Sequence, residues 1–381
     1  MRVKFGDIVN DIKINVDRNN CPYEYYIAGE HMDTEELHIT RRGKLTDGLT
    51  GSAFTRLFKA GQVLYGSRRT YLKKCAVADF DGICANTTFV LESKNNSIFL
   101  HDLLPFLILS DRFTEYSIKK SRGSVNPYVL FSDIADFEFN LPDIDEQRRL
   151  AETLWAFDEA KQAYKKLIAT TDELVKCQFV EMFGDPVTND KDWPIKSIKD
   201  FATVKIGPFG SLLHAEDYVE NGIPFINPSH IINGKIVTDP KLTLALEKYD
   251  AMSAYALKTG DVVLGRRGEI GRCAVVDNGE FLCGTGSMFI RIELDYLPMM
   301  LQWILSCDAV RKVLENKAVG VTMLNLNAGI VANLKVIMPP LSLQNRFADF
   351  VRHADKSKFE LQQTLYELEA TYKALLREKL G

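Results

Sequence analysis

Basic residues that could bind phosphate or base edges recur at matching places in the two halves of the chain. The first half carries Arg68, Arg69 and Lys73, and the second carries Arg266, Arg267 and Arg272. A guanidinium group presents a rigid fork of donors that fits phosphate oxygens and the edge of a base. The recurrence favours contact with a nucleic acid, and a solvated loop is the alternative that stays open.

Two histidines and one glycine turn are further candidates for such contacts. His31 and His230 each follow a short apolar segment. Each could touch a nucleic acid or make a structural hydrogen bond inside its own domain. The segment Gly207-Pro-Phe-Gly-Ser211 is a tight turn whose backbone amides could reach a phosphate. A plain surface turn explains the same residues.

Motifs for catalysis are missing from the sequence. It contains no phosphate-binding loop ending in Lys-Ser/Thr, no His-Glu-x-x-His and no Gly-x-Ser-x-Gly. The segments Asn126-Pro-Tyr128 and Asn227-Pro-Ser-His230 only approach the Asn-Pro-Pro-aromatic motif of adenine methyltransferases. We therefore expect a non-catalytic chain that holds no metal and no cofactor.

Composition indicates a cytoplasmic protein with two domains. The 381 residues suffice for two sizeable cores. The net charge of −4 argues against a generic, strongly basic nucleic-acid binder but leaves DNA binding by local basic patches open. Seven cysteines occur without a Cys-x-x-Cys pair, so we expect neither a disulfide framework nor a zinc site. No apolar run approaches the ~20 residues that span a bilayer. The N-terminus also lacks a signal-peptide core, and we expect no contact with a membrane.

An internal repeat organises the whole chain. Residues 142–175 return as residues 339–372 with a constant offset of 197, as in Gln147 and Gln344. Upstream, Gly66-Ser-Arg68 resembles Gly265-Arg-Arg267, and Gly123 corresponds to Gly320. A repeat of this size indicates one module present twice.

Each repeat begins with a mixed region, at residues 1–141 and 187–338. Short runs such as Val63–Tyr65, Cys75–Val77 and Thr88–Leu91 predict strands. One helical stretch is predicted in each region, from His101 to about Lys119 and from Asp295 to about Glu315. We therefore expect two α+β domains.

A long helix follows each domain, at residues 142–186 and 339–381. Apolar residues at steps of four and three, such as Leu150, Leu154 and Phe157, give heptad spacing. Each helix should run about 35 residues, roughly 50 Å at ~1.5 Å per residue. Since Lys161 and Lys358 interrupt both stripes at one heptad position, we expect an antiparallel coiled coil with pseudo-two-fold symmetry. The two domains would then lie at opposite ends of a rod.

This architecture resembles the specificity subunit of type I restriction-modification enzymes. Two variable domains alternate with two similar helices, and the first helix ends in Gln178-Phe-Val-Glu-Met-Phe-Gly-Asp-Pro186. The second domain also resembles a target-recognition domain in Gly207-Pro-Phe-Gly-Ser211, Gly268-x-x-Gly271 and Gly320-Val-Thr322. The first domain departs from that pattern, with Ser67 to Thr70 where Gly-x-x-Gly is expected.

The resemblance implies a non-catalytic reader of double-stranded DNA. Each target-recognition domain would read one half of a split site, and the helices would serve as spacer and docking surface. The implied partners are two methyltransferase subunits, which bind S-adenosylmethionine, and a restriction-translocase subunit. The predicted DNA contacts are His31, Arg68, Arg69, Lys73, Ser124, Gly207, Ser211, His230, Arg266, Arg267, Arg272 and Thr322.

Two other interpretations remain at this point. The specificity subunit of a related bifunctional restriction system would share the architecture but pair with a fused nuclease-methyltransferase. A coiled-coil scaffold with two protein-binding ends would show no sequence-specific DNA binding. An enzyme acting alone is disfavoured because the sequence offers no catalytic constellation.

Overall fold

The structure is a computed structural model that describes residues 1–17, 21–47, 51–209, 212–318 and 325–380. The chain divides into two compact units. Unit 1 comprises Met1–Leu167 with Glu360–Gly381, and unit 2 comprises Ile168–Phe359. Across the described ranges, no helix combines the length and apolar character that crossing a membrane requires.

Unit 1 contains ten strands and four short α-helices among its described residues, besides its parts of the two long helices. The strands are β1 (Arg2–Lys4), β2 (Val9–Asp11), β3 (Tyr25–Ile27), β4 (Gly43–Lys44), β5 (Phe54–Phe58), β6 (Val63–Gly66), β7 (Cys75–Val77), β8 (Gly82–Ala85), β9 (Thr88–Ser93) and β10 (Glu138–Asn140). The helices are α1 (Phe5–Ile8), α2 (Leu104–Leu109), α3 (Asp111–Lys120) and α4 (Phe131–Ala135).

Two four-stranded sheets form the body of unit 1. One has the order β2-β9-β6-β7 and is antiparallel throughout. The other has the order β4-β3-β8-β5, in which β3 and β8 are parallel. The strands predicted at Val63–Tyr65, Cys75–Val77 and Thr88–Leu91 are confirmed as β6, β7 and β9.

Unit 2 repeats these elements with additions. Its strands are β11 (Ile195–Ser197), β12 (Ala202–Ile206), β13 (Tyr218–Val219), β14 (Ile223–Ile226), β15 (Ile231–Ile232), β16 (Lys235–Ile236), β17 (Thr243–Leu244), β18 (Ala256–Leu257), β19 (Val262–Gly265), β20 (Cys273–Val275), β21 (Phe281–Cys283), β22 (Ser287–Ile292) and β23 (Lys335–Ile337). Its short helices are α6 (Leu246–Ala251), α7 (Pro298–Ser306), α8 (Asp308–Lys317) and α9 (Ala328–Ala332).

The sheets of unit 2 follow the same order as those of unit 1. The antiparallel sheet is β12-β22-β19-β20, and the second sheet is β13-β17-β14-β21-β18 with β14 and β21 parallel. The hairpin of β15 and β16 has no counterpart among the described strands of unit 1. The repeat seen in the sequence is therefore a repeat of topology.

Each unit contains two helices where the sequence predicted one helical stretch. Ser110 separates α2 from α3 because its backbone is extended (ψ 145°) and its side chain accepts the N–H of Phe113. Cys307 separates α7 from α8 with a similar extended backbone (ψ 136°). Buried apolar residues resume just beyond both breaks, at Phe113 and Val310, so the pattern of hydrophobicity alone did not reveal them.

The two long helices are α5 (Ile144–Phe183) and α10 (Leu341–Leu380), each of 40 residues. Asp143 caps α5 by accepting the N–H of Glu146 at 2.8 Å. Gly184 then ends α5 with a φ of +74°, as the sequence Gly-Asp-Pro indicated.

Within each unit, one part of α5 pairs with one part of α10. In unit 1 the rings of Phe157 and Tyr372 lie 6.2 Å apart. In unit 2 the rings of Phe179 and Phe347 lie 5.5 Å apart, and Lys358 binds Asp172 at 2.5 Å. Because the partner number on α10 falls as the number on α5 rises, the helices form an antiparallel coiled coil. The chain is therefore α+β, with two repeated domains and two long helices.

A buried glutamine ties each domain to the first turn of the long helix that follows it. Gln147 accepts the N–H of Leu100 at 2.9 Å, and Gln344 accepts that of Leu297 at 2.9 Å. Both amides also donate to the carbonyl of the proline that precedes the helix, Pro142 or Pro339. The repeat conserves these glutamines in register because each one satisfies buried backbone groups.

Candidate nucleic-acid interface

In unit 1, three of the predicted contacts (Arg68, Arg69 and Ser124) lie where the loop after β6 meets a hairpin that we call the finger (residues 122–128). Arg122 and Tyr128 exchange two backbone hydrogen bonds, at 2.8 and 3.0 Å, that close the finger. The base of the finger is fixed because Val129 donates to the carbonyl of Ser67 at 2.9 Å. The backbone of Arg68 also forms an isolated antiparallel β-bridge with that of Tyr128. Ser124 lies exposed in the finger, beside Val125, which is 90% exposed.

Unit 2 builds the same junction. Leu326 donates to the carbonyl of Arg266 at 2.9 Å, as Val129 does to Ser67, and Arg267 bridges to Asn325. Arg68 and Arg267 therefore hold equivalent backbone positions, and both side chains are exposed. Residues 319–324, which correspond to the finger and include the predicted contact Thr322, lie outside the described residues.

The backbone of this loop turns through left-handed residues at two matched positions. Arg69 has a φ of +50° where unit 2 has Gly268 (+72°), and Lys73 has a φ of +46° where unit 2 has Gly271 (+88°). We expected Ser67 to Thr70 to stand where unit 2 has Gly-x-x-Gly. The structure shows instead that Arg69 and Lys73 occupy the positions of its two glycines, Gly268 and Gly271. One extra residue in the loop of unit 1 explains the shift.

The arginines of the two junctions differ in burial. Arg69 is exposed, and its Nε donates to Oδ1 of Asn126 at 3.2 Å. Arg266 is only 7% exposed, and its Nε donates to Oδ1 of Asn325 at 3.1 Å. Burial lowers the pKa of Arg266, and the charge of Arg267 acts in the same direction. Arg266 thus stabilises the junction from inside, while Arg69 stands on its surface.

Arg272 and Lys73 are engaged with groups of their own units. Arg272 forms an ion pair with Glu269 and lies 3.5 Å from the carbonyl of Ile231. The ammonium of Lys73 lies 2.8 Å from Asp111 and 3.2 Å from Glu35. The Lys73 side chain is 16% exposed, so its geometry favours a structural role.

The two predicted histidines make the same local hydrogen bond. Nδ1 of His31 accepts the N–H of Ala28 at 3.1 Å, and Nδ1 of His230 accepts that of Asn227 at 3.1 Å. His230 is 6% exposed. This geometry favours the structural alternative of the sequence analysis for both residues.

Gly207 is also explained by its surroundings. Its N–H donates to the carbonyl of Ser287 at 3.0 Å, and a Cβ there would lie 1.9 Å from the carbonyl oxygen of Gly284. Only glycine fits this close approach of two backbones, and the amide proposed for a phosphate is already bonded. The predicted contact Ser211 lies outside the described residues.

Sequence reasoning missed two parts of the junction. Asn126 and Tyr128 were noted only as a failed match to a catalytic motif, although both belong to the finger. Tyr71, in the loop after Arg69, is 53% exposed. The available signal was the tyrosine and asparagine residues near Arg68-Arg69 and Arg122, residue types that often contact DNA backbones.

A group of metal-ligand type in unit 1 serves a different purpose. Ligand atoms of Glu36, His38 and Asp158 lie within 4.8 Å of one another. Lysine ammonium groups already neutralise the carboxylates, because Lys161 lies 3.1 Å from Asp158 and Lys165 lies 2.5 Å from Glu36. We interpret the group as a brace between the loop after β3 and α5.

Relatives of the chain are specificity subunits of restriction systems. The chain is 22% identical to the type I restriction enzyme MjaVIII specificity subunit of Methanocaldococcus jannaschii, over 93% of this chain and 85% of that protein. It is 25% identical to the type I restriction enzyme HindI specificity subunit of Haemophilus influenzae, over 47% of this chain and 40% of that protein.

Solved structures share the fold. A chain from a structural study of type I R-M complex assembly and conformational transition superposes with a TM-score of 0.63 at 20% identity, covering 100% of this chain and 97% of that one. The S subunit of a type I restriction-modification system from M. genitalium gives 0.57 at 14% identity, covering 99% of this chain and 95% of that one.

The family model described as the type I restriction modification DNA specificity domain matches the chain twice. The matches cover residues 4–170 and 190–370, so each copy contains one domain and most of the long helix that follows it. These limits agree with the repeat of topology and with the two loop junctions. The chain therefore belongs to the type I restriction-modification DNA specificity family, with two copies of its domain.

Proposed function

We propose that this chain is the DNA-reading subunit of a type I restriction-modification complex and recognises a bipartite site. Unit 1 would read one half-site and unit 2 the other. The observation that carries this proposal is the loop junction present in both units, with exposed Arg68 and Arg267 at equivalent backbone positions. Two copies of one DNA specificity domain also support two half-sites.

The shared residues suit contacts that do not depend on sequence. Phosphate contacts fix the position and orientation of a protein on DNA, while base edges supply specificity. We assign Arg68 and Arg267 to phosphates because both units retain them at one position. Ser124 and the residues around Thr322 would then approach the bases, since they belong to the corresponding segments of the two units.

Catalysis is assigned to partner subunits. Two methyltransferase subunits, each supplying S-adenosylmethionine, would dock on the long helices, and a restriction-translocase subunit would join them. The helices support this proposal because they expose large apolar side chains, with Tyr366 72% exposed and Phe359 60% exposed. Exposed aromatic residues of this size are typical of protein interfaces. The assembly would act in the cytoplasm, where the DNA lies.

Mapping methylated adenines tests the function. Cells that carry this gene with its methyltransferase gene should contain one methylated bipartite motif, and cells without this gene should lose it. Arg68→Ala or Arg267→Ala should weaken DNA binding at all sequences and lower the salt slope by about 1, without changing the motif.

The matched control is Arg148→Ala, since Arg148 is exposed on α5 and pairs with Asp145. It should leave affinity and salt slope unchanged. A methylation pattern that does not depend on this gene would contradict the proposed function.

A further inference from the structure

Arg69 occupies a backbone conformation that unit 2 assigns to glycine. Its φ is +50°, and Gly268 at the equivalent position has a φ of +72°. A side chain in the left-handed region is disfavoured because its Cβ crowds the backbone. Such residues persist where the side chain has a use that offsets the strain.

Lys73, the other left-handed residue of this loop, has a side chain with a clear structural role. It also has a positive φ, +46°, where unit 2 has Gly271. Its ammonium lies between Asp111 and Glu35 and joins α3 to the loop after β3. These two ion pairs account for the lysine without any ligand.

Arg69 makes no comparable attachment. Its N–H donates to the carbonyl of Pro127 at 2.7 Å, and its Nε donates to Oδ1 of Asn126 at 3.2 Å. Asn126 holds the root of the guanidinium against the finger. Within the described part of unit 1, neither terminal nitrogen of Arg69 has a hydrogen-bond acceptor, and the side chain is exposed.

We propose that Arg69 reads a guanine in the half-site of unit 1, an assignment that rests on the proposed function. The two terminal nitrogens would donate to O6 and N7 of the guanine, which together form the acceptor pair that an arginine fork fits in the major groove. Asn126 is the positioning residue, since its amide oxygen holds Nε and thereby sets the direction of the fork.

The comparison of the two units separates this role from a phosphate contact. A contact that any DNA sequence can satisfy should be shared, as Arg68 and Arg267 are. A contact that reads one base should differ between domains that read different half-sites. Arg69 meets this condition, because Gly268 has no side chain to place in a groove.

The test uses the complete complex with its methyltransferase subunits. Its two readouts are the methylated motif and the affinity for duplexes that carry each single base-pair change. In the wild-type complex, replacing one particular G·C pair of the unit 1 half-site should weaken binding roughly 5- to 150-fold, the range for a bidentate arginine contact. Arg69→Ala should abolish that preference and leave all other positions unchanged.

Two substitutions at Arg69 sharpen the result. Arg69→Lys retains the charge but not the fork, so it should also lose the guanine preference while keeping affinity for other sequences. Arg69→Gly relieves the left-handed strain, so its melting temperature should equal or exceed that of the wild type even as the preference disappears. A structural role for Arg69 predicts a lower melting temperature instead.

Lys73→Gly is the matched control. It relieves the same kind of backbone strain but removes two ion pairs, so it should lower the melting temperature and leave the motif intact. Asn126→Ala should reduce the guanine preference only partly, because the fork stays present but is less well oriented.

Three results would overturn the assignment. They are an unchanged motif in Arg69→Ala, an equal loss of affinity of Arg69→Ala for every sequence, and a guanine preference that Arg69→Lys retains in full. The second would identify Arg69 as a phosphate contact, and the third would show that the charge alone, without the fork, gives the preference. Both would leave the proposed function intact. A wild-type complex with no sequence preference would remove the proposed function itself and this assignment with it.

Discussion

At the scale of single residues, His31 and His230 receive a backbone N–H from the residue three positions earlier. An imidazole nitrogen accepts such a bond only when it is deprotonated. Burial lowers the pKa of His31 below its ordinary value of about 6.5, which favours the neutral form in the folded state. The stability from the bond to His31 is therefore present above about pH 6.5 and is lost as the pH falls.

Replacing His230 tests the structural role of both histidines. His230→Ala leaves the N–H of Asn227 without its acceptor, so the free energy of unfolding should fall by about 1–3 kcal/mol. Denaturant unfolding measures this loss, and the methylated motif should stay the same. His31→Ala is the counterpart in unit 1. A changed methylated motif with unchanged stability would instead identify the histidines as DNA contacts.

At the scale of elements, the brace between the loop after β3 and α5 gives unit 1 a dependence on pH. Burial acts to raise the pKa of Glu36, but the hydrogen bond from Lys165 and the charge of Lys161 outweigh it and hold that pKa below its ordinary value. A carboxyl group with a depressed pKa stabilises the fold above the pKa of the unfolded chain, about 4.5, and loses that effect as the pH falls.

Glu36→Gln should reveal this contribution. At pH 7 the free energy of unfolding should fall by about 1–3 kcal/mol, because two lysines lose a charged partner. The difference from the wild type should shrink below about pH 4.5. Asp145→Asn is the control, since its exposed pair with Arg148 contributes little. Equal losses in both variants would exclude the brace as a specific support.

At the scale of the whole molecule, assembly should depend on the exposed aromatic residues of α10. Tyr366→Glu and Phe359→Glu place a charge on surfaces that we assign to methyltransferase subunits. Each should weaken association by about 1–3 kcal/mol or more, the range typical of interface anchors. Analytical ultracentrifugation with the purified subunits measures the loss. Ile195→Glu, at an exposed apolar residue outside both long helices, is the control, and an equal effect there would contradict helix docking.

The sequence by itself determined the plan of the molecule. The offset of 197 residues, the heptad spacing and the apolar strands predicted two α+β domains and an antiparallel pair of long helices. Each long helix was expected to run about 35 residues and has 40, and Gly184 ends α5 as the sequence indicated. These features are local or periodic, so the pattern of residues along the chain is enough to reveal them.

Only the tertiary structure decided what most candidate side chains do. Lys73 forms ion pairs with Asp111 and Glu35, and Gly207 lies against the backbone of Gly284. Arg69 donates a hydrogen bond to Asn126 in the finger, more than fifty residues further along the chain. Such pairings depend on which distant segments the sheets bring together, and no short-range sequence pattern shows which segments those are. The arginines were therefore visible in the sequence, while the fold decided which of these side chains are held by structural contacts and which stay exposed.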